Sequence, residues 1–229
     1  MKTDQGTTIS IMSSKLEKKQ LRRQKMKEQS EALNARRQLI KEAEEMEDLL
    51  ADIPLFKKFS KNGLTCDITS HKACPEELKD WVFKLTARHM KEYYEHTWGW
   101  SAKNKQKELF ETPARYLIAT CEGKPVGFIH IRFEFEMGEI IVYVYELHVE
   151  DEYQGKGLGK WLMQAAEFIA LKRKMEGVVL TVFKENIKSR QFYYNLKYKF
   201  HPSTPELCDP ESGPDFDHEI LHKSLVKGK

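Results

Sequence analysis

From Ser14 to Ala51 the apolar residues are sparse. Leu16, Leu21, Met26, Leu33, Leu39, Ile40, Met46, Leu49 and Leu50 stand among Lys, Arg, Glu, Gln and Ala, with no Gly or Pro between them. These are good helix formers, and the spacing predicts one solvated helix that docks only through its C-terminal end. After Pro54 the pattern changes. Leu64 to Ser70 alternates weakly, as a strand does. Pro75 with Glu76 and Glu77 opens a helix, since proline suits the first helical position and carboxylates the positive dipole end. Its stripe is Leu78, Trp81, Val82, Leu85 and Met90. The aromatic patch Tyr93, Tyr94, Trp98, Trp100 and a polar helix from about Lys103 to Phe110 follow. Then the period becomes that of strands: Tyr116 to Cys121, a turn at Glu122-Gly123-Lys124-Pro125, Val126 to Glu136, and Ile140 to Val149. Gly157 to Arg173 reads as an amphipathic helix, Val178 to Phe183 as a strand, Ile187 to Leu196 as a helix and Glu219 to Val226 as a last strand. No internal repeat is visible. The order predicts an α+β fold with one mostly antiparallel mixed sheet flanked by helices. The organisation expected is a helical extension over residues 1–53 and a folded domain over 54–229.

Composition adds bounds to this picture. The 229 residues carry 38 Lys and Arg against 35 Asp and Glu, a net charge of only +3, which argues against a wholesale nucleic-acid coat. No run approaches the roughly 18 apolar residues of a membrane span. The start, Met1-Lys2-Thr3-Asp4-Gln5-Gly6, is polar, and Cys66, Cys74, Cys121 and Cys208 are widely spaced with no C-x-x-C pair. A soluble monomer with reduced thiols, in nucleus and cytoplasm, is the expectation. The balance hides segregation: Lys15 to Lys41 holds ten basic residues against three Glu, and Glu42 to Asp52 six acidic residues and no basic one. The basic stretch is a solvated face or coiled-coil arm, or an arm for nuclear import or for contact with a ribosome or nucleosome.

The most informative segment is Glu139 to Lys160, in which an apolar strand runs into Gln154-Gly155-Lys156-Gly157-Leu158-Gly159 and then directly into a helix. Glycines there let backbone approach a ligand, and the N–H groups of the first helical turn converge with the positive dipole end. That is a pyrophosphate site, or simply a tight turn before a helix. The chain has no G-x-x-x-x-G-K-[ST], and the preceding hairpins do not fit a Rossmann unit.

Gln154-x-x-Gly157-x-Gly159 resembles the Q/R-x-x-G-x-G/A motif of the GNAT superfamily of N-acetyltransferases. Asn186, Phe192-Tyr193 and Leu196-Lys197-Tyr198 resemble its next block. The resemblance implies acetyl-CoA as donor, an amine as acceptor and direct transfer in a ternary complex. It implies that Leu147, His148 and Val149 hold thioester and pantetheine by backbone hydrogen bonds. Gln154 and the run Gly155, Lys156, Gly157, Leu158, Gly159 and Lys160 would hold the diphosphate, with Asn186 facing the pantetheine arm. Further stretches are similar to the type D, histone-directed branch of the protein N-alpha-acetyltransferases (NatD). They include the basic helix, Phe56-Lys57-Lys58-Phe59, Trp98-Gly99-Trp100, Arg115 to Ala119, Tyr143-Val144-Tyr145-Glu146 and Leu180 to Lys184. That branch implies histone tails beginning Ser-Gly-Arg-Gly as substrates. It implies Tyr93, Trp98, Glu134, Phe135, Glu136, Tyr143, Tyr145, Thr181 and His218 on the substrate side and Glu146 as general base. Glu134 stands where that branch commonly has Asp, and His218 where it tends to have Tyr.

The residues themselves bear on this. Glu146 interrupts an apolar run, so it is either buried structural polarity or a base. Partial burial is expected to raise its pKa toward neutrality, within reach of an α-amine at about 7.7–8. Tyr143 and Tyr145, two apart on a strand, share a face and either shape a narrow mouth or fill the core. Tyr193 is a candidate acid for the leaving thiolate. Between His201 and Leu221 lie Glu206, Asp209, Glu211, Asp215, Asp217 and Glu219 with no Lys or Arg. This acidic loop, with Glu134, Glu136 and Glu139, is suited to an arginine of a basic tail or is a solvated surface. His218 and His222 lack a third partner, so no metal is predicted. The cofactor motif does not fix the acceptor. Ribosomal proteins, small amines, or a catalytically silent acetyl-CoA-binding adaptor for chromatin or ribosome stand as alternatives.

Overall fold

A computed structural model describes residues 5–226, with side chains from Gln20 onward (Pro214 aside); Met1 to Asp4 and residues 227–229 lie outside the described residues. The chain divides into two compact units, up to Leu39 and from Ile40 on, so the boundary expected after residue 53 falls inside the second. Helix α1 spans Gln5–Glu45, against an expected Ser14 to Ala51. In the first unit it is exposed along nearly all its described length, apart from half-buried Leu33, Arg36 and Leu39. Its last turn belongs to the second unit. There Arg115, 1 % exposed, donates to the carbonyls of Ala43 (3.2 Å), Glu44 (2.9 Å) and Met46 (2.5 Å). A buried guanidinium thus occupies carbonyls that a helix end leaves without partners, and α1 stops there.

The second unit is built on an eight-stranded sheet of order β1-β2-β3-β4-β5-β6-β8-β7. Its strands are β1 (Lys58–Lys61), β2 (Leu64–His71), β3 (Arg115–Cys121), β4 (Lys124–Glu136), β5 (Glu139–Val149), β6 (Gly177–Phe183), β7 (Lys199–Phe200) and β8 (His218–Ser224). All neighbours are antiparallel except β5 and β6. The helices are α2 (Lys79–His96), α3 (Ala102–Phe110), α4 (Leu158–Lys172), α5 (Ile187–Asn195) and the single turn α6 (Pro205–Cys208). The fold class and main elements agree with the sequence reading. Strands β1 and β7 and helix α6 are additions, each four residues or fewer and too short for a periodic signal.

The parallel pair β5–β6 needs a crossover, which α4 supplies; its buried stripe of Leu158, Leu162, Ala165, Ala166 and Ile169 packs on β4, β5 and β6. On the other face α2 buries Val82 and Leu85 against Tyr116, Ile118 and Phe128, with Leu109 of α3 alongside. Strands covered on both faces explain why β3 and β5 read as near-continuous apolar runs. No described helix is long and apolar enough to cross a membrane.

Candidate active site

Two irregularities in β5 build the site. His130 of β4 pairs with Glu146, but the next residue, Ile131, pairs with Val144, so Tyr145 is an extra residue opposite one partner. This β-bulge breaks strict alternation. It puts Glu146 on the same face as Tyr143 and Tyr145, whose rings lie 5.2 Å apart. The second irregularity is a splay. Pairing of β5 with β6 runs from Ile141↔Gly177 to Val144↔Leu180 and stops, while β5 continues to Val149 and β6 to Phe183 along β8. Beyond Val144 the strands part, and that edge of Leu147 to Val149 keeps backbone donors and acceptors free of a strand partner.

A cleft of about 560 Å³ fills the gap, lined by Leu147, His148, Val149, Thr181, Phe183, Asn186, Phe192 and Tyr193 and by the loop leading into α4. In that loop Gly155 (φ +72°) and Gly157 (φ +97°) have left-handed backbone, which glycine alone adopts cheaply. Gly157 is the N-cap of α4; no side chain caps it and no acidic residue sits in the first turn. The first N–H groups of a fifteen-residue helix therefore point into the cleft, with Lys160 and Lys188 beside them. This is an anion cradle of the kind that binds a diphosphate. Gln154 stabilises the loop itself: its amide donates to Val149 O (2.9 Å) and Asp151 Oδ1 (3.0 Å), and its Oε1 accepts from Lys188 Nζ (2.5 Å). Asn186 caps α5, accepting from Ser189 N at 3.0 Å. The sequence motif is thus partly a ligand cradle and partly the scaffold that shapes it.

A second cavity of about 270 Å³ adjoins the first, lined by Tyr94, Trp98, Glu108 and Tyr143. Met90, Val144, Tyr145, Glu146, Thr181 and Phe183 line both cavities. Trp98 packs edge-on against Phe183 (4.7 Å) and His218 (5.1 Å), and its indole donates to Asp217 Oδ1 at 3.0 Å. Tyr143 Oη bonds Thr181 Oγ1 (2.5 Å), and Tyr145 Oη donates to Glu134 Oε1 (2.7 Å). Both phenols are pushed up by burial, Tyr143 to about 12, so both remain neutral donors. Burial also raises the Glu134 carboxyl, the Tyr145 hydrogen bond opposing it.

Glu146 differs from its sequence expectation. It is 5 % exposed, and burial alone would raise its pKa. However, Lys105 Nζ of α3 lies 3.1 Å from Oε1 and His148 Nε2 lies 2.7 Å from Oε2. Their charge and hydrogen bonds outweigh desolvation and hold the carboxyl down at about 2. The expected rise toward neutrality is therefore corrected: Glu146 is a permanent carboxylate because a buried ammonium covers it. Lys105 also donates to Tyr94 Oη (2.6 Å) and Glu108 Oε1 (2.5 Å), and its own pKa is raised despite burial.

Of the residues expected from sequence, Tyr93, Tyr145, Glu146, Leu147, His148, Val149, Gln154, Gly155, Gly157, Leu158, Gly159, Lys160, Thr181 and Asn186 line the larger cleft. Trp98 and Tyr143 line the smaller one. Lys156 lines neither; its ammonium lies over the Tyr153 ring and its carbonyl accepts from Asn62. Glu134 and His218 meet the cavity wall through Tyr145 and Trp98. Phe135 follows Glu134 on β4 and is turned to the other face, and Glu136 pairs with Glu139 at the hairpin end. Lys105, Glu108, His89 and Lys188 were not legible as site residues, because a polar helix carries no sign of which lysine turns inward. Among the described residues no cluster could hold a metal ion.

A model of the acetyltransferase (GNAT) family matches residues 76–198. The chain is 24% identical to N-alpha-acetyltransferase 40 of Saccharomyces cerevisiae over 177 residues, 66% of this chain and 62% of that protein's length. It is 30% identical to an uncharacterised N-acetyltransferase of Archaeoglobus fulgidus over 100 residues, 42% of this chain and 62% of the relative. The chain thus spans less than two thirds of the length of either curated relative. Among solved structures, the PaiA N-acetyltransferase of Thermoplasma acidophilum in complex with coenzyme A superimposes with a TM-score of 0.51 at 19% identity. That match covers 69% of this chain and 99% of the other, and speaks to the fold.

Proposed function

Since the chain belongs to the acetyltransferase (GNAT) family, we propose that it transfers the acetyl group of acetyl-CoA to the free α-amine of protein N-termini. Its substrates in this reading are histone tails beginning Ser-Gly-Arg-Gly. The observation that carries the reading is the pair of adjoining cavities that share Glu146 in their walls. One has a diphosphate cradle and an unpaired strand edge for the donor; the other is narrow and aromatic, for an acceptor chain end. The name of the yeast relative supports an N-terminal amine as acceptor.

The first turn of α4 would hold the donor's diphosphate, and the free edge of Leu147 to Val149, with Asn186 facing it, would hold the pantetheine and thioester. The acceptor's first residue enters between Tyr143, Tyr145 and Trp98, where a serine fits and a methionine is too long. Its amine meets Glu146, whose fixed negative charge attracts and orients it. Attack on the thioester carbonyl follows from positioning of the two ends. Burial keeps the Tyr193 phenol protonated, and it lines the donor cleft as the proton source for the departing thiolate. Glu108 lines the acceptor cavity and Asp217 accepts from the Trp98 indole that lines it, so an arginine in the third position finds carboxylates there. The basic helix up to Leu39 suits an acidic surface such as a nucleosome or ribosome.

The test is kcat/KM on a Ser-Gly-Arg-Gly peptide against the same peptide with Met first. The serine peptide is expected to win by ~10-fold or more, the order of a pocket's discrimination by size. Equal values, or no transfer to either, would remove the histone-tail reading.

A further inference from the structure

Between β1 and β2 stands Asn62-Gly63, with φ +52° and +73°. Positive φ at both central residues marks the tight hairpin turn in which asparagine followed by glycine is favoured. The turn joins Lys61 to Leu64, which pair directly across the hairpin. A glycine at position 62 would serve that turn equally well. The asparagine side chain is engaged elsewhere: its Nδ2 donates to the carbonyl of Lys156, 94 residues on, at 2.9 Å.

The hairpin that carries Asn62 is seated against the first turn of α4. Buried Phe59 of β1 lies edge-on to Trp161, the fourth residue of the helix, with ring centroids 6.0 Å apart. Lys61 Nζ stands over the same indole at 5.3 Å. A Cβ placed on Gly157 would lie 3.8 Å from both Asn62 Nδ2 and Phe59 Cζ. The hairpin thus backs the diphosphate loop, and neither Asn62 nor Phe59 lines the donor cleft.

The Lys156–Gly157 peptide is trans, so its carbonyl and its N–H point in opposite directions. With the carbonyl held toward Asn62, behind the loop, the Gly157 N–H faces forward to the cleft that Gly157 lines. As the N-cap of α4, Gly157 has an N–H without a partner inside the helix. Little else fixes this plane. Turning it changes ψ of Lys156 and φ of Gly157, and glycine accepts either sign of φ. The Lys156 side chain is directed away from the cleft, its ammonium 5.3 Å from the Tyr153 ring centroid. A half-turn of the plane would put a carbonyl oxygen where the N–H stands, and an anion would meet the wrong end of the peptide dipole.

We propose that Asn62 is a positioning residue for the donor: by holding the Lys156 carbonyl it orients the peptide plane so that the Gly157 N–H donates to the diphosphate of acetyl-CoA. This rests on the donor half of the reading above and not on the identity of the acceptor. Asn62 itself touches no donor atom. It acts through one carbonyl, from outside the glycine-rich loop.

The test compares donors with and without a diphosphate, on the full chain. Asn62→Gly keeps the positive φ of the turn and removes only the amide. In calorimetry its Kd for acetyl-CoA should rise ~10-fold, the upper range for one intramolecular hydrogen bond. In steady-state transfer the KM for acetyl-CoA should rise by a similar factor, with kcat and the peptide KM unchanged. S-acetyl-pantetheine lacks the diphosphate, and its kcat/KM should be the same in variant and wild type. In proton–nitrogen-15 spectra of the wild type, the Gly157 amide proton should move downfield on addition of acetyl-CoA, and in Asn62→Gly that shift should shrink. Equal Kd for acetyl-CoA in the two chains, an equal loss with both donors, or a Gly157 amide that does not respond to acetyl-CoA would overturn the assignment. Should Asn62→Gly fail to fold, Asn62→Asp, which also suits the turn but cannot donate, decides by the same criteria. A wild type that binds acetyl-CoA and acetylates no peptide would defeat the acceptor reading alone, and the Kd values and amide shifts would still judge Asn62. A wild type without affinity for acetyl-CoA would overturn the donor site and the role of Asn62 together.

Discussion

Lys105 Nζ, on α3, lies 3.1 Å from Glu146 Oε1 at the β5 bulge, with the two side chains 4% and 5% exposed. The contact fixes the charge of the carboxylate on which both cavities converge. Removing one member of such a pair leaves an uncompensated buried charge, which costs roughly 3–5 kcal/mol. Lys105→Met should therefore destabilise the protein by about that amount in urea unfolding. Adding Glu146→Gln should restore most of it. Additive losses in the double variant would mean that the two groups do not depend on each other.

The donor cradle gives a sharper test. Gly157 has φ +97°, and a Cβ there would point toward Asn62 and Phe59, at 3.8 Å from each. Gly157→Glu adds backbone strain and a negative charge where the α4 N–H groups meet diphosphate. It should abolish acetyl-CoA binding in calorimetry while circular dichroism stays native. Unchanged affinity would place the diphosphate elsewhere.

Acid stability follows from His130, fully buried between the rings of Tyr116 (4.9 Å) and Tyr145 (5.1 Å). Burial first, then Arg132, lowers its pKa from 6.5 to about 3. Since the folded value is the lower one, the unfolded chain binds the proton more readily between these pH values. Stability is complete above 6.5 and is lost as pH falls toward 3. Glu146 adds a second loss between 4.5 and about 2. Unfolding midpoints measured near neutral pH and about two units lower should differ clearly for the wild type. They should differ much less for His130→Gln, whose starting stability at neutral pH will be lower. A difference of the same size in the variant would assign the effect to other groups.

These forecasts use contacts of unequal visibility in the sequence. The β3–β4–β5 meander, α4 and the glycines of the diphosphate loop were legible because each rests on local pattern: period two, period 3.6, and Gly at φ above zero. The bulge was not, because Tyr145 and Glu146 look like any two strand neighbours, and only the pairing of His130 with Glu146 and of Ile131 with Val144 reveals them on one face. The Glu146 pKa was misread in direction for a related reason. Burial is visible in an apolar run, whereas Lys105 arrives from a separate helix 41 residues away. Likewise His89 and His148 are 59 residues apart, and neither neighbourhood announces the other.

The acidic rim implies a preference at the third substrate position. Replacing Arg by Ala in a Ser-Gly-Arg-Gly peptide should cost about 1.5–3 kcal/mol in kcat/KM, the range for a hydrogen bond to a charged group. Added salt should narrow the gap between the two peptides, as screening weakens the exposed part of the attraction. Identical kinetics for the two peptides would leave Glu108 and Asp217 without a role in recognition.

The central claim is transfer to an N-terminal α-amine, and the position of the product's acetyl group tests it most directly. A Ser-Gly-Arg-Gly-Lys peptide is incubated with acetyl-CoA and the full chain, and the product is fragmented in a tandem mass spectrometer. The account predicts one acetyl group, carried on the fragment that contains the peptide's leading serine, and no product from a peptide whose α-amine is already blocked. Acetyl on the lysine side chain, or modification of the blocked peptide at an equal rate, would contradict it.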